Sequence, residues 1–178
     1  MKRSKEAFIL DATAFFSGFE SMETEELYTT PEIMEEVSGN VVVNFVMQSG
    51  RIKVLQASSE SFSEVKEKAK RTGDYAVLSK ADLSILALAL DLRKRNYKAV
   101  VVSDDYAVQN VARALGIEYK GYLFRGIERE VKWVWYCKMC KKVYGEYRER
   151  CDLCGGKLVR RGAGRLSREK QRNAARKA

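Results

Sequence analysis

The chain of 178 residues contains no histidine. That absence excludes Ser-His and Cys-His nucleophilic catalysis, removes the commonest general base and rules out imidazole metal ligands. Any catalysis must run on carboxylates, metal ions, Lys or Tyr. Proline occurs once and hydrophobic residues make up 46%, so neither a Pro-rich nor a wholly disordered chain fits. Long apolar runs are also missing. The longest, Ser84 to Leu90 (SILALAL), falls far short of the roughly 20 residues that span a bilayer. The start MKRSKEAFIL carries basic residues ahead of an apolar stretch, but Asp11 cuts that stretch short and no small-residue cleavage site follows. A cytoplasmic protein without a membrane partner is expected.

Excess charge of one sign is confined to one end. From Met1 to Val131 there are 18 basic and 20 acidic residues; from Lys132 to Ala178 there are 15 and 4. The formal charge of +9 is therefore a property of the C-terminal part, an electrostatic footprint for a polyanion.

What is present is an alternation of strands and helices. Ala7 to Leu10 (AFIL), Ile52 to Leu55 and Ala99 to Val102 (AVVV) read as short buried strands. Thr30 followed by Pro31 predicts a capped helix opening PEIMEEV. Val41 to Met47 fits either helix or strand. Ser61-x-x-Glu64 predicts the capping box of a helix ending at Gly73; Ser79 to Arg95 predicts a long amphipathic helix, and Tyr106 to Leu115 another that stops at Gly116. This order implies an α/β fold with a parallel sheet flanked by helices, whose ligands bind at the carboxyl ends of the strands. The expected organisation is a larger α/β domain over residues 1–125, a linker over 126–132, a small β module over 133–160 and a basic flexible tail over 161–178.

The four cysteines form two Cys-x-x-Cys pairs ten residues apart, Cys137/Cys140 and Cys151/Cys154. A two-residue spacer lets both sulfurs of a pair converge on one ion, and a hairpin brings the second pair across to complete a tetrahedron. Four thiolates leave no open coordination position, so one structural Zn2+ in a zinc ribbon is predicted. Two disulfides are the competing reading. Gly145 is available for the hairpin turn, and Gly155 and Gly156 for the second knuckle.

The carboxylates form a second constellation. Asp11 follows the first strand, Asp104 and Asp105 follow AVVV, Asp82 lies in the first turn of its helix, and Glu36 lies in the helix opened by Pro31. Each of the last four also has a plain structural role available, as a helix cap or a solvated surface acid. Asp11 is harder to assign that way, because an ionised carboxylate after a buried strand is costly unless it is paired or bound to metal. A cluster of this kind suits Mg2+ or Mn2+, which activate water and stabilise charge in attack on a phosphodiester.

The segments FILDATAFF, TTPEIMEEV, SKADLSILALAL and VVVSDDYAVQNVARALGI resemble the four acidic segments of the PIN-domain nucleases, across roughly Ala7 to Arg125. With a four-cysteine ribbon and a basic tail behind them, the whole arrangement is similar to the archaeal NIN-one-binding family. The resemblance implies a metal-dependent endoribonuclease that matures the 3' end of precursor small-subunit rRNA within a pre-ribosomal particle. It implies hydrolysis leaving a 5'-phosphate and a 3'-hydroxyl, with Asp11, Glu36, Asp82 and a fourth acid, Asp104 or Asp105, as catalytic ligands of Mg2+ or Mn2+. Tyr136, Tyr144 and Tyr147 are candidates for base stacking or for filling a very small core. Two other readings remain: a toxin-type PIN ribonuclease acting on mRNA or tRNA, a class that normally lacks a zinc ribbon, and a non-catalytic rRNA-binding protein.

Overall fold

The computed structural model describes residues 5–16, 26–121 and 130–164, with only the backbone of Val42. Its larger sheet has five strands: β1 (Glu6–Leu10), β2 (Glu26–Thr29), β3 (Ile52–Val54), β4 (Lys98–Val102) and β5 (Glu118–Lys120), in the order β3-β2-β1-β4-β5. All four pairings are parallel. Helices supply the crossovers after β2: α1 (Pro31–Glu36) and α2 (Val41–Gln48) lead to β3, α3 (Ser59–Thr72) and α4 (Lys80–Lys94) to β4, and α5 (Tyr106–Leu115) to β5. A 3-10 turn over Ala12–Phe16 follows β1. Residues Ala7 to Leu10 and Ala99 to Val102 are buried throughout, which is why these central strands read as continuous rather than alternating apolar runs. Helix α4 is buried from Leu83 to Leu92 on nearly every side, as a helix in the middle of a core must be.

Local chemistry fixes the helix ends. Thr30 accepts from the Ile33 N–H with Pro31 at the first helical position, and Ser79 and Asp82 form a complete capping box on α4. Gly73 and Gly116 close α3 and α5 in the left-handed region. The structure differs from the sequence reading at α3. Its cap is Ser58, one turn earlier than Ser61, and Ser58 donates from both its N–H and its hydroxyl to Asp91 of α4, at 2.7 and 2.8 Å. That tertiary partner selects the cap; Ser61 is buried within the helix, where its hydroxyl oxygen accepts from Lys94 Nζ at 3.0 Å. Strands β2 and β5 add to the three strands read from the sequence, and Val41 to Gln48 is helix.

The second sheet is antiparallel: β6 (Trp133–Cys137), β7 (Val143–Tyr144) and β8 (Leu158–Gly162), in the order β7-β6-β8. β8 pairs with β6 as far as Trp133 opposite Gly162, and the Ala163 N–H donates to Lys132 O at 2.8 Å. The strand thus runs past the boundary expected at residue 160, since its ladder with β6 continues. Residues 165–178, most of the expected tail, and residues 122–129, which take in part of the expected linker, lie outside the described residues.

The two sheets are joined by a buried polar network. Asp74, fully buried at the end of α3, accepts from Asn110 of α5 at 2.7 Å and from the guanidinium of Arg160 on β8. Asn110 also clasps Val131, accepting from its N–H at 2.7 Å and donating to its carbonyl at 2.8 Å. The Arg160 guanidinium lies 4.4 Å from the centre of the Trp133 ring, a cation–π contact. Gly73 completes the joint: a Cβ there would stand 2.4 Å from the carbonyl oxygen of Trp133, so only glycine lets the two backbones approach this closely.

Candidate active site and metal centre

Asp11 sits at the carboxyl end of β1. Its N–H donates to the carbonyl of Val102 at 3.1 Å, extending the β1–β4 ladder by one step and setting Asp11 alongside Ser103. The side chain is 6% exposed. Oδ2 accepts from the Ser103 hydroxyl at 2.5 Å and Oδ1 from the Ala12 N–H at 2.6 Å. Burial pushes the Asp11 carboxyl up to about 6; those two hydrogen bonds pull it down, and the charges of Asp82 and Asp105 push it up again.

The neighbouring acids are linked to one another in the same way. Desolvation raises Asp82, its bonds to Ser79 oppose that, and the charge of Asp105 adds to it. Desolvation also raises Glu36, next comes the charge of Asp82, and the Ser79 hydroxyl lowers it. Asp11 and Asp105 stand at the carboxyl ends of β1 and β4, and Asp82 and Glu36 adjoin them as electrostatic neighbours, together an acidic rim. Within Ser103-Asp104-Asp105, Asp105 is the acid whose charge acts on Asp11 and Asp82; Asp104 is half-buried one residue closer to the strand. Glu36 is the glutamate of its pair that feels Asp82. Among the described residues, no three of these carboxylates bring an oxygen each within 4.8 Å of one another.

The plain structural readings hold at the same time. Asp82 Oδ2 accepts from the Ser79 N–H at 2.7 Å in the capping box. Asp105 caps α5 through Oδ1, which accepts from the N–H groups of Ala107 at 2.5 Å and Val108 at 3.3 Å. Each cap uses one named oxygen, so capping and ion binding are compatible roles. Three hydroxyls do the positioning, a role the sequence reading did not give them. Ser103 donates to Asp11 while accepting from the Asp105 N–H at 3.1 Å; Ser79 serves both Asp82 and Glu36. Thr30 shares a 2.6 Å hydrogen bond with Ser84, which ties the helix bearing Glu36 to the helix bearing Asp82. The only signal for them in the sequence was helix capping, as at Thr30 ahead of Pro31.

The residues present fit a hard cation. A carboxylate raised chiefly by its burial and further by two acidic neighbours, its hydrogen-bond donors among the described residues a hydroxyl and a peptide N–H, is a group that divalent oxygen-seeking ions relieve.

The second centre lies in the smaller sheet. The Sγ atoms of Cys137, Cys140, Cys151 and Cys154 all lie within 4.8 Å of one another, with Cys137 to Cys154 at 3.5 Å and Cys140 to Cys151 at 3.4 Å. A tetrahedron with metal–sulfur bonds of about 2.3 Å has edges of about 3.8 Å. All four are free thiols, so the two-disulfide alternative does not describe this arrangement. The two halves repeat one backbone pattern. Lys141 N–H donates to Cys137 O at 3.0 Å as Gly155 N–H does to Cys151 O at 2.8 Å, and Cys137 N–H donates to Lys142 O as Cys151 N–H does to Gly156 O, both at 2.9 Å. The left-handed position of each knuckle falls on Lys141 (φ 66°) and Gly155 (φ 70°). At Gly156 a Cβ would stand 3.2 Å from Cys137 Sγ, so the second glycine leaves room for the sulfur. Gly145, by contrast, follows β7 rather than turning the hairpin between β6 and β7. Tyr144 is buried against the cluster, its hydroxyl 3.1 Å from Cys151 Sγ, where it lowers that thiol to about 6. It fills the core, while Tyr147 remains 57% exposed.

Residues 8–92 match the family model described as the PIN domain of ribonuclease. The chain is 37% identical to Endoribonuclease Nob1 of Archaeoglobus fulgidus over 95% of this chain and 97% of that protein. It is 39% identical to Endoribonuclease Nob1 of Pyrococcus abyssi, over 86% and 93%. The 20S-pre-rRNA D-site endonuclease NOB1 of Saccharomyces cerevisiae matches at 34% over 48% of this chain and 20% of its own length. A protein named Ribonuclease VapC1 from Thermoplasma acidophilum matches at 30% over 86% and 77%; a match to a ribonuclease does not by itself separate the two names. Coverage and identity do: with a PIN ribonuclease domain, an acidic rim at the carboxyl ends of its strands and a four-cysteine module matched nearly end to end, the chain belongs to the Nob1 family of endoribonucleases.

Proposed function

We propose that this endoribonuclease hydrolyses a phosphodiester in precursor small-subunit rRNA at the acidic rim of its parallel sheet, within a pre-ribosomal particle in the cytoplasm. The observation that carries this reading is Asp11, an almost fully buried carboxylate pushed up to about 6 beside Asp82 and Asp105. Asp11, Glu36, Asp82 and Asp105 hold Mg2+ or Mn2+, with Asp104 available beside them. When bound, such an ion supplies an activated water and neutralises charge developing on the phosphate. The chain's own residues prepare the site. Ser103 fixes the plane of the Asp11 carboxylate from one side and the N-terminus of α5 from the other. Ser79 holds Asp82 and Glu36 on facing helices. In the hydrolysis the water oxygen joins phosphorus, the bond from phosphorus to the 3' oxygen breaks, and a proton ends on that oxygen, leaving 5'-phosphate and 3'-hydroxyl.

The four cysteines hold one structural Zn2+, since four thiolates leave no coordination position for a substrate. We propose the division of labour that follows: a nuclease unit through residue 125, and a ribbon with its basic tail from residue 132 onward, carrying the excess of 15 basic over 4 acidic residues that docks on RNA. The yeast relative's printed name supports the choice of pre-rRNA. The VapC1 match favours a second reading, a toxin-type ribonuclease acting on mRNA or tRNA. Incubation with a precursor fragment spanning the small-subunit 3' end, with and without Mn2+, and in parallel with tRNA and an unrelated mRNA, decides between them. Ion-dependent cutting of the precursor at one site is expected. Cutting of tRNA or mRNA with the precursor spared would overturn the proposal in favour of the second reading.

A further inference from the structure

Where the ribbon meets the nuclease unit, the two enclose a cavity of about 410 Å³. On the nuclease side it is lined by Tyr75 and Lys70, on the ribbon side by Trp135, Glu146 and Tyr147. None of these residues is a carboxylate of the acidic rim or one of the four cysteines, although Trp135 also packs against the core around Cys137, Tyr144 and Cys151. Trp135 and Tyr147 meet edge to face, with ring centres 4.7 Å apart, so the pair forms one stiff aromatic wall. Tyr75 opposes it, 37% exposed and with the ammonium groups of Lys66 and Lys70 at 5.5 and 5.9 Å from its ring centre. Lys70 lines the cavity and pairs with Glu67 at 2.7 Å on its exposed side. Half-exposed aromatic surfaces flanking a gap with lysines beside them are the means by which proteins hold unpaired nucleotides: the rings stack on the base and the ammonium groups meet its phosphate. Glu146 adds a carboxylate acceptor of the kind that takes hydrogen bonds from exocyclic amino groups.

Direct contacts link the two walls. Gly73, whose backbone closely approaches the Trp133 carbonyl, and the Asp74–Arg160 pair lie directly before Tyr75. The cavity also stands at the reacting end of the molecule. The segment containing Tyr75 leads from α3 straight to the Ser79 cap of α4, and Asp82 is seven residues on, within about 25 Å even for an extended chain.

We infer that this cleft is a binding site for one unpaired RNA nucleotide, its base stacked between Tyr75 and the Trp135–Tyr147 wall and its phosphate met by Lys66 and Lys70. The site rests on the proposed action on RNA and deepens it: the substrate presents a single-stranded nucleotide near the cleavage point, and the ribbon takes part in gripping it.

The test uses the full chain with zinc retained and no added Mg2+ or Mn2+, a fluorescently labelled single-stranded pentaribonucleotide, and a blunt RNA duplex of matched charge. Tyr75→Ala weakens pentanucleotide binding about tenfold and leaves duplex binding unchanged; Tyr75→Phe, which keeps the ring, retains wild-type affinity. Pentanucleotide affinity unchanged in Tyr75→Ala overturns the inference. So does an equal loss for single strand and duplex, which would mark a general effect on charge or folding. Asp11→Asn, assayed beside these, binds the pentanucleotide as the wild type does but does not cut precursor RNA in Mn2+. Should it cut normally, the reading of the acidic rim fails while the cleft stands.

Discussion

Replacing Asp11 by Asn is expected to make the ion-free protein more stable. In the folded chain burial lifts the carboxyl from 3.8 to about 6, a shift worth about 3 kcal/mol against the charged form at neutral pH. The group is only 6% exposed, so solvent screening takes little from that figure. Asn removes the charge but must still meet the Ser103 hydroxyl and the Ala12 N–H; one of these donors faces an NH2 group and must turn or go unpaired, at a cost of about 1 kcal/mol. The net gain is about 2 kcal/mol. Its pH dependence has a definite sign. The folded-state value lies above the unfolded one, so the folded wild type takes up this proton first as pH falls; its penalty is complete above about 6, shrinks through that value and is gone below 3.8. Urea unfolding without added Mg2+ or Mn2+, with zinc retained, should show Asp11→Asn ahead near neutral pH and level with or below the wild type in acid. Added Mn2+ reverses the order near neutrality, because it stabilises only the protein that binds it, by about 2.7 kcal/mol at a hundredfold excess over its dissociation constant. A variant less stable than wild type at neutral pH without the ion would refute the argument.

Other outcomes follow from the joint, the ribbon and the tail. Arg160→Met leaves Asp74 buried without its cation and should destabilise the protein by about 3 kcal/mol at neutral pH, with part of the loss recovered in acid as Asp74 protonates; a change within about 0.5 kcal/mol would mean the ion pair is not a holding contact. Removing zinc with a chelator should abolish the near-ultraviolet circular dichroism of Trp133 and Trp135, since the small core around Cys137, Tyr144 and Cys151 cannot order the strands alone; a preserved signal contradicts a structural ion. Deleting residues 165–178, with six Lys or Arg against one Glu, should weaken RNA binding and flatten its salt dependence, each lost phosphate contact reducing the slope by about 0.7 to 0.9. An unchanged slope would take RNA docking away from the tail.

The parts of the molecule legible in the sequence were those determined by neighbours along the chain. AFIL and AVVV declare buried strands because their burial is continuous; Ser79-x-x-Asp82 and Asp105 announce caps; paired Cys-x-x-Cys knuckles carry their own geometry. β2 and β5 escaped notice because four residues (ELYT) and three (EYK) are too short to show a period, and the sheet recruits them through partners distant in sequence. Val41 to Met47 was ambiguous because its β-branched residues favour strand, whereas the fold needs a helix that buries Val43 and Val46. The acids were visible in the sequence as candidates, at two strand ends (Asp11, Asp105), the first turn of α4 (Asp82) and the last residue of α1 (Glu36), but the choice of Asp105 over Asp104 as the coupled acid depends on the turn by which Ser103 bridges β1, β4 and α5. The joint between the sheets was out of reach. Asp74, Asn110, Trp133 and Arg160 are unremarkable residues that meet across as many as 86 positions.

The most direct test of the account is single-turnover cleavage of the small-subunit precursor fragment at saturating protein and Mn2+, comparing wild type with Asp11→Asn while RNA affinity is measured alongside. The account predicts that Asp11→Asn binds the fragment as tightly as the wild type and cuts it at least about a hundredfold more slowly. Cleavage by Asp11→Asn at the wild-type rate would contradict it and move the chemistry away from the acidic rim.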